Sequence, residues 1–241
     1  MKIPKRLEDI FAHAVALEQS GRLRSTIYCL NDRVYILNQD HTVMMCFPLR
    51  SEVDRLHFDE PVSFNANDYD SDTIEVHNGR IQFIQNTTGF ERIKSCRTPD
   101  MTPEKVDQMF RSYKIKPQNT ALVPTEILQL LDESLSHIEL SIKEDGRLQF
   151  VQRNIYSGAV ISICPRRHKG GLIKQKKNLE DFGTFGLRTN DFFALFAFAT
   201  DLNFHLLPDG FIAVTNPKKT MPMRVLLSKC RYDELGTCHE E

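Results

Sequence analysis

Polar and apolar residues alternate along two nearly identical stretches, HNGRIQFIQN at residues 77–86 and EDGRLQFVQRN at residues 144–154. Each begins with a turn pair, Asn78-Gly79 in the first and Asp145-Gly146 in the second. Such pairs accept the left-handed backbone that two-residue hairpin turns require. Beyond the turn, Ile81 and Phe83 fall on one face and Arg80 and Gln82 on the other. Leu148 and Phe150 stand in the same way against Arg147 and Gln149. A period of two predicts a strand with one buried face. Weaker copies occur in LNDRVYILNQ at 30–39 and LPDGFIAVTN at 207–216. The hairpin is therefore written four times, at intervals too irregular for a solenoid. Four related units with variable connections fit better.

A helical period precedes three of the four copies. Residues 4–20 place Leu7, Ile10, Phe11, Ala14, Val15 and Leu17 on one stripe, with Gly21 as the stop. Residues 124–135 carry Ile127, Leu128, Leu130, Leu131 and Leu135, with Pro124 near the first turn and Thr125 near a capping position. Residues 190–200, NDFFALFAFAT, are apolar almost all round and predict a well-buried helix. The second copy departs from the rule. NANDYDSDTIE at 65–75 offers Asn, Asp and Ser where a helix would stand, enough for one or two turns at most.

The unit is thus a strand, a helix and three antiparallel strands, and the fold class is α+β. Two such units make each of two similar domains, antiparallel sheets with helices on one face. The boundaries read as a first domain at 1–100, a connector at 101–117 holding a short amphipathic helix at 103–113, a second domain at 118–235, and a mobile acidic tail at 236–241.

This organisation resembles the DNA polymerase sliding clamps, and is most similar to the two-domain clamps of T-even bacteriophages. The opening MKIPKRLEDIFAHAVALEQSGRL, the middle EILQLLDESLSHIELSIKEDGRLQFVQRN and the end NDFFALFAFATDLNFHLLPDGFIAV carry the likeness, which runs over nearly the whole chain. The resemblance implies a processivity factor without an active site. Subunits would assemble as a trimeric ring around duplex DNA, with helices toward the hole and sheets outside. It would be opened by a clamp-loader ATPase, and would bind the DNA polymerase through short peptides in an apolar pocket. The reduced second helix is a departure from that pattern. The implied setting is the cytoplasm of a phage-infected bacterium.

Charge changes the picture only locally. The chain of 241 residues has a formal net charge of −1, so nucleic-acid contact would need segregated cations. The densest run is RRHKGGLIKQKK, with Arg166, Arg167, Lys169, Lys174, Lys176 and Lys177 around a Gly-Gly pair and no acid. Sequence-independent phosphate contact needs lysines and arginines of this kind. A second group is Lys2, Lys5 and Arg6 with Arg22 and Arg24, diluted by Glu8, Asp9 and Glu18. The polar face of 124–135 instead carries Glu126, Asp132 and Glu133. Acidic residues gather at Glu52, Asp54, Asp59, Glu60, Asp68, Asp70, Asp72 and Glu75, which read as a solvated outer face. Met109, Phe110, Met221, Met223 and Leu226 are the candidates for a partner-peptide pocket, with plain core as the competing reading.

Chemistry is otherwise sparse. Gly-x-Ser-x-Gly, a Walker loop and His-Glu-x-x-His are absent. The cysteines at 29, 46, 96, 164, 230 and 238 form no Cys-x-x-Cys pair and read as reduced thiols. No enzyme activity, cofactor or metal is expected. No apolar run reaches the roughly 18 residues of a membrane span. Two alternatives share these residues: a processivity factor that holds DNA on one basic face without closing a ring, and a β-rich viral structural protein with no DNA role.

Overall fold

The structure is a computed structural model. It describes residues 2–52, 55–70, 73–77, 80–87, 90–97, 99–112, 120–165, 183–207, 211–216, 222–229, 231–232 and 238–239. The chain divides into two compact units, Met1–Gln39 with Met44–Lys114, and Asp40–Val43 with Ile115–Glu241.

The first unit opens with helix α1 (Lys5–Gln19), which buries Leu7, Ile10, Phe11, Ala14 and Leu17 along the predicted stripe. Gly21 ends it at φ +72°, where the N–H groups of Arg22 and Leu23 return to the Leu17 carbonyl. A glycine is favoured there because a Cβ strains the left-handed region. Strands β1 (Ser25–Leu30), β2 (Arg33–Asn38) and β3 (Val43–Pro48) follow as an antiparallel meander. Leu30 faces Arg33 across the Asn31-Asp32 turn. Then come β4 (Val62–Asn65), a 3-10 helix at Ala66–Asp68, and the antiparallel triplet β5 (Ile74–His77), β6 (Arg80–Thr87) and β7 (Phe90–Arg97). Helix α2 (Pro103–Ser112) closes the unit.

The second unit repeats the plan. It runs β8 (Thr120–Pro124), a 3-10 helix at Thr125–Leu130, β9 (His137–Ile142), β10 (Leu148–Arg153) and β11 (Val160–Ile163). There follow β12 (Phe185–Arg188), helix α3 (Thr189–Leu195), β13 (Asp201–Leu206), β14 (Phe211–Thr215) and β15 (Arg224–Ser228). The repeated hairpin stretches are β2, β6, β10 and β14. Each is the middle strand of its triplet, paired on both sides. That position explains the shared pattern: a middle strand needs a firm register, and its buried face sets one. Ile81, Phe83, Leu148 and Phe150 are all buried as the alternation predicts.

The strand ahead of each helix does not join its own triplet. β4 pairs with β1, β12 with β9, and β8 with β13. Ahead of α1, Lys2 makes a single bridge to Thr73 at the head of β5. The two repeats of each unit are thereby interlocked, each completing the sheet of the other except at β5, where the Lys2–Thr73 bridge is the one described link. Aromatic rings knit the same layers. In the first unit Phe11 of α1 meets Phe64 of β4 edge-on at 5.5 Å, and Phe64 meets Phe83 of β6 at 5.3 Å. In the second, Phe192 of α3 lies 5.7 Å from Phe150 of β10 and 6.0 Å from Phe204 of β13.

Two predicted helices are shorter than their apolar patterns. Residues 124–135 form a six-residue 3-10 helix rather than an α-helix. Pro124 and Leu131 are extended, and no side chain caps the start, Thr125 included. Asp132 turns the chain locally, its Oδ1 accepting from the N–H and Oγ of Ser134 at 2.9 and 2.7 Å. Such side-chain bonds compete with helix propagation. Buried Gln152 fixes that turn from β10, its Oε1 accepting from Asp132 N–H at 2.8 Å and its Nε2 donating to Asp132 O at 3.0 Å. Residues 190–200 begin as the expected buried helix, but α3 ends at Leu195. The N–H groups of Phe196 and Ala197 then bond three residues back, tightening the last turn. The reduced helix at Ala66–Asp68 is as short as the sequence suggests. In the expected mobile tail, Cys238–His239 pairs with Arg231–Tyr232 as a short ladder.

Candidate nucleic-acid interface and assembly edges

Of the cations predicted to contact DNA, those that the structure describes sit on and just after α1. Lys5 is exposed and lies 3.3 Å from Glu8 and 3.7 Å from Asp9. Its ammonium is held above the ordinary lysine pKa, first by the Glu8 hydrogen bond and then by the Asp9 charge. Exposed pairs of this kind are weak and readily exchanged for another anion. Arg6 and Arg22 are half-buried, and Arg24 is exposed. Among the described residues, the helices of the second unit offer no matching cation. The 3-10 helix Thr125–Leu130 exposes Glu126, and α3 buries Thr189, Asp191, Phe192, Phe193, Ala194 and Leu195. Arg166, Arg167, Lys169, Lys174, Lys176 and Lys177 lie outside the described residues.

The acidic group of the first unit is partly structural. Asp70 lies 3.1 Å from Arg92 of β7. Lys94 reaches Asp68 Oδ1 at 3.7 Å and donates to the Asp68 and Asn67 carbonyls at 2.9 and 3.3 Å. One lysine thus closes the carbonyl end of the short 3-10 helix and ties it to β7. Asp54 and Asp72 lie outside the described residues.

The pocket candidates are mostly covered. Phe110 of α2 is buried against Tyr35, with ring centroids 5.5 Å apart, while Met109 is half-buried. Met223 and Leu226 are buried in the second unit, and Met221 lies outside the described residues. Helix α2 is anchored by Asp107, which accepts from Arg33 at 3.1 Å, from Arg111 at 2.8 Å and from the Tyr35 hydroxyl. Burial, then the Asp107 hydrogen bond, pushes the Tyr35 phenol up and keeps it a neutral donor. Among the described residues, no cluster of three or more metal-ligating side chains exists.

Sequence reasoning missed two sheet edges. β7 borders only β6, and β11 only β10, among the described residues. Phe90 on β7 is 80% exposed and Ile93 50%. Beside and on β11, Tyr156 is 95% exposed, and Ile155 and Val160 are each 54%. Large apolar side chains on an open strand edge mark a surface built to be covered. The legible signal was a strand pattern, FERIKSCR, whose apolar residues do not keep to one face.

No protein-family model matches the sequence, and no curated protein sequence matches it. Among solved structures, the chain is similar to DNA polymerase III subunit beta from Borrelia burgdorferi, solved in complex with a natural product. The TM-score is 0.62 at 9% sequence identity, over 97% of this chain. The chain spans 63% of the length of that protein. With so little sequence in common, the likeness speaks for architecture: this chain has the α+β sliding-clamp fold, with paired repeats of antiparallel strands in each of two units.

Proposed function

We propose that the protein is a DNA polymerase processivity factor, a phage-type sliding clamp that tethers a replicative polymerase to duplex DNA and catalyses nothing itself. The observation that carries this reading is the clamp fold over 97% of the chain. Two further features support it. Two dissimilar sheet edges, β7 and β11, each carry exposed apolar side chains. Edges that differ pair head to tail, and a head-to-tail interface closes into a ring when the rotation permits. The T-even likeness in sequence argues for three subunits per ring. The cations Lys5, Arg6, Arg22 and Arg24, with the run from Arg166 to Lys177, supply sequence-independent phosphate contact. The polymerase and a loader ATPase are the protein partners of this reading.

Light scattering across protein concentrations is the first test. A trimer is expected, and Phe90→Lys or Tyr156→Lys should reduce it to monomer. Reversing Arg166, Arg167, Lys169 and Lys174 to glutamate should abolish retention on circular DNA and flatten the salt dependence. A protein that remains monomeric at high concentration would sink the ring. It would leave a factor that grips DNA on one basic face, which the paucity of cations on the second unit's helices favours. Unchanged DNA behaviour in the reversal variant would favour a structural protein.

A further inference from the structure

Three of the four triplets are flanked along most of their leading strand. β4 makes four pairs with β1, β12 four with β9, and β8 five with β13. The equivalent edge of β5 has the single Lys2–Thr73 bridge, and among the described residues the ladder stops there. Where its sister sheets hold a fourth strand, this edge opens on a groove. The groove has a volume of about 490 Å³ and runs between residues 57–60 and residues 74–76 of β5. That is the size range of sites that take ligands.

We propose that this groove docks an extended, basic segment of a partner protein, which adds to β5 as the missing fourth strand. The Ile84 N–H donates to the Thr73 carbonyl at 3.0 Å, which turns Thr73 toward β6. Peptide groups in an antiparallel ladder alternate in direction, so Val76 presents its N–H and carbonyl to the outer edge. Strand addition draws its affinity from such main-chain bonds and its selectivity from alternate side chains. Asp59, Glu60 and Glu75 place three carboxylates around His57 and apolar Phe58, Ile74 and Val76, and among the described residues no lysine or arginine lines the groove. A strand alternating basic and apolar residues complements both. The inference rests on the first unit alone and is independent of whether the chain closes a ring.

The probe is an octapeptide of alternating Val and Lys, acetylated and amidated, followed by amide hydrogen exchange and fluorescence anisotropy. Saturable binding is expected, weakening with salt, with exchange at the Val76 amide slowed about tenfold. The double variant D59K/E60K changes two exposed side chains and should cost about tenfold in affinity while leaving the thermal midpoint in place. N-methylation of alternate peptide bonds in the probe should abolish binding. Equal binding of the N-methylated probe would overturn the proposal, because charge attraction alone would then suffice. So would absence of binding at millimolar peptide. Protection of Val76 that grows with protein concentration, without peptide, would assign the edge to a second copy and likewise overturn it.

Discussion

The two units put the same motif to different uses, and Gln85 and Gln152 show how. Each is the second residue after the phenylalanine of its copy, GRIQFIQ or GRLQFVQ. Gln85 is exposed, whereas Gln152 is 1% exposed and bonds the backbone of Asp132 and the Thr189 hydroxyl. The units also keep their α-helices in opposite order. In the first, the leading repeat has the long α1 and the second only Ala66–Asp68. In the second, the leading repeat has only Thr125–Leu130 and the second has α3. A short helix leaves a gap beside the sheet, and each unit fills it differently. Lys94 reaches in from β7 in the first, and Gln152 from β10 in the second. Repeats diverge most where a helix has been lost, because the orphaned backbone groups need new partners.

Phe83→Ala and Phe150→Ala should each cost about 3–5 kcal/mol in urea unfolding, since both rings are fully buried between layers. A large disparity would show that the two positions are not equivalent. Gln152→Ala should cost about 1–3 kcal/mol by stranding the Asp132 amide and carbonyl. Gln85→Ala should stay within about 0.5 kcal/mol, and an equal loss at both sites would refute the asymmetry.

Acid should weaken the second unit. His205 bridges three strands there, its Nδ1 2.7 Å from Thr120 Oγ1 and its Nε2 2.8 Å from Thr215 Oγ1. Burial lowers its pKa, as burial and then the Arg188 charge lower that of His137. The unfolded chain therefore takes up protons first, below about pH 6.5, while the folded state keeps neutral rings. Stability is fully present above that pH and falls as the pH drops toward the lowered native pKa values. The denaturant midpoint should drop between about pH 7.5 and about pH 5.5, and His205→Gln should flatten that slope. A small effect is expected at Lys94→Ala, about 0.5–1 kcal/mol, because its ion pair with Asp68 is partly exposed.

Much of the fold was legible because strand periodicity is a local property. The middle strands, the stripe of α1 and the described turns at Asn31-Asp32 and Asp145-Gly146 follow from residue spacing alone, and the structure keeps them. The helix at 124–135 was misread because an apolar stripe of Leu and Ile serves a 3-10 turn and an α-helix alike. What decided between them was Gln152, which is distant in sequence. Of the candidate site, the basic residues were legible as composition, but the exposed edges at Phe90, Ile93, Tyr156 and Val160 were not. An exposed and a buried phenylalanine read the same until the neighbours of the strand are known.

By itself, then, the sequence determined a fourfold α+β repeat and the middle strand of every triplet. These rest on periodicity and composition, which act over a few residues. The tertiary structure alone decided which strand completes which sheet, which helices propagate and which edges stay open. Those outcomes are settled by hydrogen bonds between residues far apart in the chain, and no local pattern encodes them.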